Sequence, residues 1–487
     1  MSNNIQQEKE INETLKPIFK DMAKYAPSKL FGLLGNALIV PVYTNLLSRE
    51  QYGIYTVSLA VLSFLCILFS DWVGLSGLRF FRQHQIKLEI PKYLSTLVML
   101  LASNVLTMFL LAFLFKGYFY SFFKIPPKIF LIILILIIPV AIRALLFQIL
   151  RAQIKPSAFT ISTIANQIMT IVFSVLIIKY LHLGGISILL GMFVSISVID
   201  IVLMFQSNIF EYFKFETPKL DTLKSLFIYG IPIAIASISM WAINQSNRFI
   251  LRHFNGFEDV GLVGVAYGLS FPLLMTLFSI ITVAAFPRII NMFEDKKDVR
   301  PVISRLTGYY LLVALPLVVL MALYSVEIVD IFANSRFINA SVILPYLSIS
   351  VLFMGLADYT TMQYHLANKM YINTILKVSA GGLGLILYYF LIKYHGIVGV
   401  GIAALITNFV YFALSVIVTV NGLKWQVPWT RIFQLVLSFV PFGVIWAVFR
   451  KNPVLPPVYE MLILLAVYYF AYFVLSFVRV RRIGGIK

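Results

Sequence analysis

The stretch that decides the fold is Leu226–Leu251, LFIYGIPIAIASISMWAINQSNRFIL. Its first part, Leu226 to Ile243, is an apolar run long enough to cross most of a bilayer as one helix. Gly230 and Pro232 sit early in it and Trp241 late. A polar cluster follows at once, Asn244-Gln245-Ser246-Asn247-Arg248, and then Phe249-Ile250-Leu251. Such a cluster is costly in lipid, so it is expected to face protein or a wet cavity. An aromatic and polar rim, where a helix leaves the membrane, would give the same string.

The rest of the chain has the same character. Its 487 residues are 60% hydrophobic and 12% charged, with a mean hydropathy of +0.91. A soluble domain carries about 25% charged residues. The chain is therefore read as an all-α polytopic membrane protein. The net charge of +19 lies in short connections between apolar runs. There it reads as a topology signal and an anion-binding surface, and no nucleic-acid partner is expected. The single cysteine, Cys66, excludes an internal disulfide. The residues before Pro27 are polar and hold no apolar core, so the first membrane helix is expected to act as the insertion signal.

Counting about twenty residues per crossing divides the chain into about fourteen spans. They fall at 27–47, 53–75, 92–115, 125–147, 158–178, 184–205, 224–247, 262–286, 305–324, 341–362, 371–392, 396–420, 430–449 and 456–477. With the N-terminus inside, the inner connections hold most of the Lys and Arg, from Lys9–Lys29 through Lys296, Lys297 and Arg300 to Arg479–Lys487. Lys124, Arg248 and Arg336 fall outside. That bias predicts cytoplasmic termini.

Internal repetition is visible. Ile178-Lys179-Tyr180 recurs as Ile392-Lys393-Tyr394, an offset of 214. An offset of 215 aligns Gln148 with Gln363, and Gln51-Tyr52-Gly53-Ile54 resembles Asp259-Val260-Gly261-Leu262. A fixed order and a near-constant offset predict two six-helix lobes related by a pseudo-two-fold along the membrane normal, plus two C-terminal helices. The expected divisions are a cytoplasmic tail at 1–26, an N-lobe at 27–215, a C-lobe at 216–422, and helices 13 and 14 with a basic tail at 423–487.

Signatures of catalysis are absent. There is no P-loop, no H-E-x-x-H and no G-x-S-x-G, and the five histidines are scattered. No enzyme activity, cofactor or metal is expected. Gly381-Gly382 and Gly384 lie inside an apolar span, where close helix packing accounts for them.

Charges within spans are the informative set, because each costs about 2.5–3.5 kcal/mol to insert. The substrate-binding candidates are Lys29, Arg79, Arg82, Arg143, Arg248 and Lys377. The ion-coupling candidates are Asp71, Asp200 and Asp358. Snorkelling to headgroups is the structural reading for Lys29, Arg288 and Asp200. Asp71-Trp72-Val73-Gly74-Leu75-Ser76, followed by Arg79 and Arg82, reads as an acid at a helix end, a glycine break and two bases. A fixed acid–base pair and a phosphate contact both fit it. The 215 offset also aligns Arg143 with Asp358, which predicts either pairing across the lobes or separate pairing within each, Arg143 then with Asp200.

These features resemble the polysaccharide transporter, or oligosaccharide flippase, family of the multidrug/oligosaccharidyl-lipid/polysaccharide exporter superfamily. The likeness rests on the Asp71-x-x-Gly74-Leu75-Ser76 string with Arg79 and Arg82, and on Asn36, Pro41 and Asn45 leading into Glu50-Gln51-Tyr52-Gly53-Ile54-Tyr55. It rests also on the Arg248-Phe249-Ile250-Leu251 exit, where many members carry an acid at the position of Asn247. The resemblance implies a flippase for polyprenyl-diphosphate-linked oligosaccharide and a central cationic cavity lined largely by spans 1, 2, 7 and 8. It implies lipid-linked oligosaccharide and membrane lipids as partners, with polysaccharide polymerase or glycosyltransferases beside them. A lipid II flippase and a multidrug exporter of the same superfamily are the competing readings. A membrane glycosyltransferase or polymerase is a third, disfavoured because no outer loop is long.

Overall fold

Within hydrocarbon an apolar run must satisfy its own backbone, and a helix does this locally. The computed structural model is accordingly almost wholly helical, with no strand among the described residues, which are 2–123, 125–212, 217–420, 422–452 and 455–484. The expected lobe boundary at 215/216, and Lys124, Lys214 and Lys487, lie outside them.

The long α1 (Ser2–Leu46) leads into α2 (Arg49–Cys66), a π-helical turn (Ile67–Asp71) and α3 (Trp72–Ile86). Next come α4 (Ile90–Leu114), α5 (Lys116–Phe123), α6 (Pro127–Ala152), α7 (Pro156–Leu181), α8 (Ile186–Gln206) and the short α9 (Ile209–Tyr212). The later part holds α10 (Leu220–Asn255), α11 (Phe257–Glu294), α12 (Arg300–Leu323) and α13 (Ser325–Phe332). A 3-10 segment (Ser335–Val342) precedes α14 (Leu344–Leu366), and α15 (Met370–Ile417), α16 (Trp429–Lys451) and α17 (Pro457–Gly484) follow.

Eleven helices among the described residues are long and apolar enough to span a membrane, or twelve with the 3-10/α14 pair, which bends by 56°. Length and apolarity therefore do not establish the expected fourteen. One of the eleven, α15, is two helical arms joined at Gly396, whose φ of 53° and ψ of −130° only glycine adopts readily.

The duplication is written in the backbone. Left-handed residues end α3 at Leu88 and α11 at Lys296, 208 positions apart. They recur at Ile154 and Asn368, and at His182 and Gly396, each 214 apart. The two halves also meet through equivalent residues on α2 and α11. A Cβ on Gly53 would stand 1.8 Å from the Phe257 carbonyl oxygen, and one on Gly261 would stand 2.3 Å from that of Arg49. Phe257 is to Gly261 as Arg49 is to Gly53, so the contact is self-exchanging, as a local two-fold requires.

Span 2 corrects one expectation. Asp71 was placed at a helix end with a break at Gly74, but the helix runs on to Ile86. The π turn absorbs the irregularity, and Gly74 stays helical against Gln148 and Ala144 of α6. Asp71 thus lies within a continuous helix, and its carboxylate accepts from Ser70 Oγ at 3.2 Å and makes no ion pair with Arg79 or Arg82.

Both ends of the bundle are strapped across the halves. At one end Arg336 donates to the Leu47 carbonyl at 3.2 Å, and Asn334 Nδ2 to Asn45 Oδ1 at 3.1 Å. At the other, the end bearing the α3–α4 turn, Lys219 ahead of α10 pairs with Glu89, which also meets His84 Nδ1 at 3.4 Å. The Lys219 hydrogen bond holds the Glu89 carboxyl below its ordinary range. A depressed carboxyl contributes its stabilisation above its unfolded pKa and loses it as pH falls through the folded value. The strap should therefore hold at neutral pH and open only in acid below the usual carboxylate range. Glu89→Gln should remove that acid-dependent component from thermal unfolding in detergent; an unchanged pH profile would refute it.

Candidate functional site

The site is built on α10. Gly230 lets α10 lie against α3, where a Cβ would come within 2.3 Å of the Trp72 ring, and Ser76 Oγ donates to the Leu226 carbonyl at 3.2 Å. About one turn short of the cluster, α10 crosses α2, and Trp241 Nε1 donates to the Ala60 carbonyl at 3.0 Å. The helix then continues through the polar cluster to Asn255. Asn247 is fully buried and donates to Tyr267 Oη of α11 at 3.2 Å. Tyr388 Oη of α15 donates to the Ile243 carbonyl at 2.8 Å. The cluster is therefore held between helices, and α10 runs on past it. At the position where an acid was noted as common, the Asn247 amide makes a neutral link.

The outward-turning members of the cluster line a cavity region of three neighbouring chambers that share lining residues. The largest, 1080 Å³, is mostly apolar and runs from Ile228 and Pro232 to Gln245, with Lys377 and His365 on its α14–α15 side. The second, 650 Å³, holds Asp71, Arg143, Asn166, Gln245 and Arg248. The third, 230 Å³, holds Asn36, Tyr52, Tyr55, Asn244, Arg248 and Tyr267. Gln245 lines all three, and Arg248 lines the second and third. The Arg248 guanidinium stands 5.6 Å from the centre of the Tyr267 ring, and its Nε has no acceptor in the protein. A side chamber of 350 Å³ opens past His365 and Lys377 and is walled by Phe278, Phe286, Asp358 and Asn373.

The expected residues divide. Arg143, Arg248, Lys377 and Asp71 line the cavity, and Asp358 lines the side chamber. Lys29, Arg79 and Arg82 line none of these chambers. Arg79 is exposed beside the Phe80 ring, and exposed Arg82 donates to Gln85 Oε1 at 2.7 Å. Asp200 is buried behind Arg143, outside the chambers. Arg143 and Asp358 do not meet. The charged neighbour of Arg143 is Asp200, and that of Asp358 is Lys377, so each pairing stays within its half. The cavity includes spans 1, 2, 7 and 8, as expected, but also α6, α7, α14 and α15. Asn166, Thr163 and His365 were missed, because a lone polar residue in an apolar run carries no sign of which neighbour it meets. No group of His, Cys, Asp and Glu among the described residues could hold a metal ion.

A family model described as polysaccharide biosynthesis protein matches residues 19–293, more than half of the chain. The chain belongs to the polysaccharide biosynthesis protein family. No curated protein matches it in sequence. Among solved structures, the lipid II flippase MurJ in an inward closed conformation is similar, with a TM-score of 0.74 at 14% identity over 94% of this chain and 98% of that one. An inward-facing multidrug resistance MATE family transporter of the MOP superfamily gives 0.66 at 13%, over 80% and 92%. A MOP superfamily transporter from Pyrococcus furiosus, described as having a binding pocket of reverse polarity, gives 0.54 at 14%, over 83% and 96%. At these identities the likeness establishes the fold. This member of the family is a multi-pass membrane protein with the fold of these MOP superfamily structures.

Proposed function

We propose that this protein flips polyprenyl-diphosphate-linked oligosaccharide across the cytoplasmic membrane by alternating access, for surface polysaccharide assembly. The observation that carries the reading is the set of neighbouring chambers around α10, lined by Arg143, Arg248 and Lys377 together with Asn166, Asn244 and Gln245. A lipid diphosphate bearing sugars cannot cross hydrocarbon unaided, because its charges and hydroxyls lose water without replacement. Cations supply charge-assisted hydrogen bonds to the diphosphate, and amides serve the sugar hydroxyls. Two halves rocking about a fixed site would expose it to each side in turn. Asp71, the one expected coupling acid that faces the main cavity, is the candidate for linking the cycle to an ion gradient. A polymerase or glycosyltransferases would act on the same lipid before or after transport.

Both termini and the Asp295–Val299 turn are proposed to be cytoplasmic, from the Lys and Arg bias. Reporters fused after Lys487 and within Lys296–Arg300 should both read cytoplasmic; an extracytoplasmic signal from either would overturn the orientation. Purified protein in liposomes should flip a lipid-diphosphate oligosaccharide faster than lipid II or a cationic dye. Preference for lipid II would move the reading to peptidoglycan precursors, and preference for the dye to drug export.

A further inference from the structure

Behind two of the three cavity cations stands a carboxylate that does not touch it. In the first half, Arg143 of α6 faces the 650 Å³ chamber, while Asp200 of α8 is only 4% exposed and lies outside it. Leu146, Leu150, Ile199 and Leu203 close the α6–α8 interface around the acid. Both Asp200 oxygens are buried and accept no hydrogen bond from the protein. In the second half, Lys377 of α15 lines both the main cavity and the side chamber, whereas Asp358 of α14 lines the side chamber alone. Asp358 and Lys377 line one chamber, and the α6–α8 packing brings Asp200 toward Arg143, yet among the described residues no ion pair within 4 Å joins either couple.

The two couples are not inherited copies. The backbone offset of 214 makes α14 the counterpart of α6, so the helix that carries the cation in one half carries the acid in the other. The same arrangement has been built twice from non-equivalent positions. Arg248 differs, since the groups packed around it include the neutral phenols of Tyr52, Tyr55, Tyr267 and Tyr388.

We propose that Asp200 and Asp358 are standing counter-ions that compete with the substrate diphosphate for Arg143 and Lys377. The inference rests on the lipid-diphosphate reading above. A cation in a low-dielectric cavity with no other anion in reach would hold a diphosphate too well to release it. With an acid kept behind it, binding exchanges one anion for another, and the net affinity is the difference. The substrate is thereby taken from both halves at once, and each half keeps the means of letting go. This assigns Asp200 and Asp358 to release rather than to ion coupling.

The test is inorganic diphosphate titrated calorimetrically into the full chain in detergent. Asp200→Asn and Asp358→Asn should each tighten diphosphate binding about tenfold, and Arg143→Gln and Lys377→Gln should weaken it about tenfold. Wild-type binding unaltered or weakened in both acid variants would overturn the proposal, as would no diphosphate binding by wild type. Liposome flipping by wild type stays a separate readout, so the flippase reading can survive that failure. Should a single acid variant fail to fold, the exchange Asp358→Lys with Lys377→Asp keeps opposite charges in the couple but turns the acid toward the main cavity. That protein should fold and bind diphosphate at least tenfold more weakly, as the order of one lost charge contact. Binding at the wild-type level would show that only the pairing matters, and would overturn the proposal.

Discussion

Arg248→Ala is expected to reach the membrane at the wild-type level and to flip lipid-linked oligosaccharide at about one thirtieth of the wild-type rate or less. The guanidinium lines both the second and the third chamber, so an anion in either meets it. Its Nε has no acceptor in the protein, so a substrate oxygen would meet an unsatisfied donor. Removing one partner of a desolvated charged hydrogen bond costs about 2–5 kcal/mol, which sets the lower bound on the loss. Folding should be spared, because the neighbouring fixed links belong to Asn247 and Tyr388 and not to Arg248. Arg248→Lys should recover only part of the rate, since an ammonium keeps the charge but loses the planar fork. Full transport by the Ala variant, measured against protein level in the same vesicles, would remove Arg248 from the site.

The second large effect is expected at the α2–α11 crossing. Gly53→Ala and Gly261→Ala each place a Cβ against a backbone carbonyl, at 1.8 Å and 2.3 Å in the present packing. A carbonyl in a helix cannot swing aside as a side chain can, so the two helices must separate. The expected cost is about 1–3 kcal/mol or more for each variant, read as a lower melting temperature and a lower yield in detergent. Gly382→Ala is the control, because nothing lies within 4 Å of a Cβ there and alanine favours the helix. Equal melting temperatures for all three would mean that the crossing is not closely packed in the membrane.

The fold was legible in the sequence because apolar length and Lys/Arg placement act locally, and each run must form its own helix whatever it packs against. The repeat was legible for the same reason: Gly53 and Gly261, like Ile178 and Ile392, keep their neighbours along the chain. The candidate site was legible in part. Arg143, Arg248, Lys377 and Asp71 stand out as charges inside apolar runs, and all four line the cavity. Lys29, Arg79 and Arg82 stand out as strongly and do not line it. The difference is a matter of rotation and depth, which a 3.6-residue period leaves open when lipid-facing and protein-facing surfaces are both apolar.

The sequence by itself determined that Leu226–Leu251 is a membrane-crossing helix carrying a polar cluster that lipid would not tolerate. Only the tertiary structure decided where the cluster turns, because its partners come from elsewhere: Tyr267 from α11 and, 145 residues away from Ile243, Tyr388 from α15. The same holds for Asp71, whose string reads as a helix end until α6 packs on Gly74 and the helix continues through a π turn. It holds for Arg143 and Asp358, which sit on the equivalent helices α6 and α14. Their charged neighbours, Asp200 and Lys377, were chosen by the α6–α8 and α14–α15 packing, since a charge in a low-dielectric interior is governed by whatever lies across the interface and not by its ancestry.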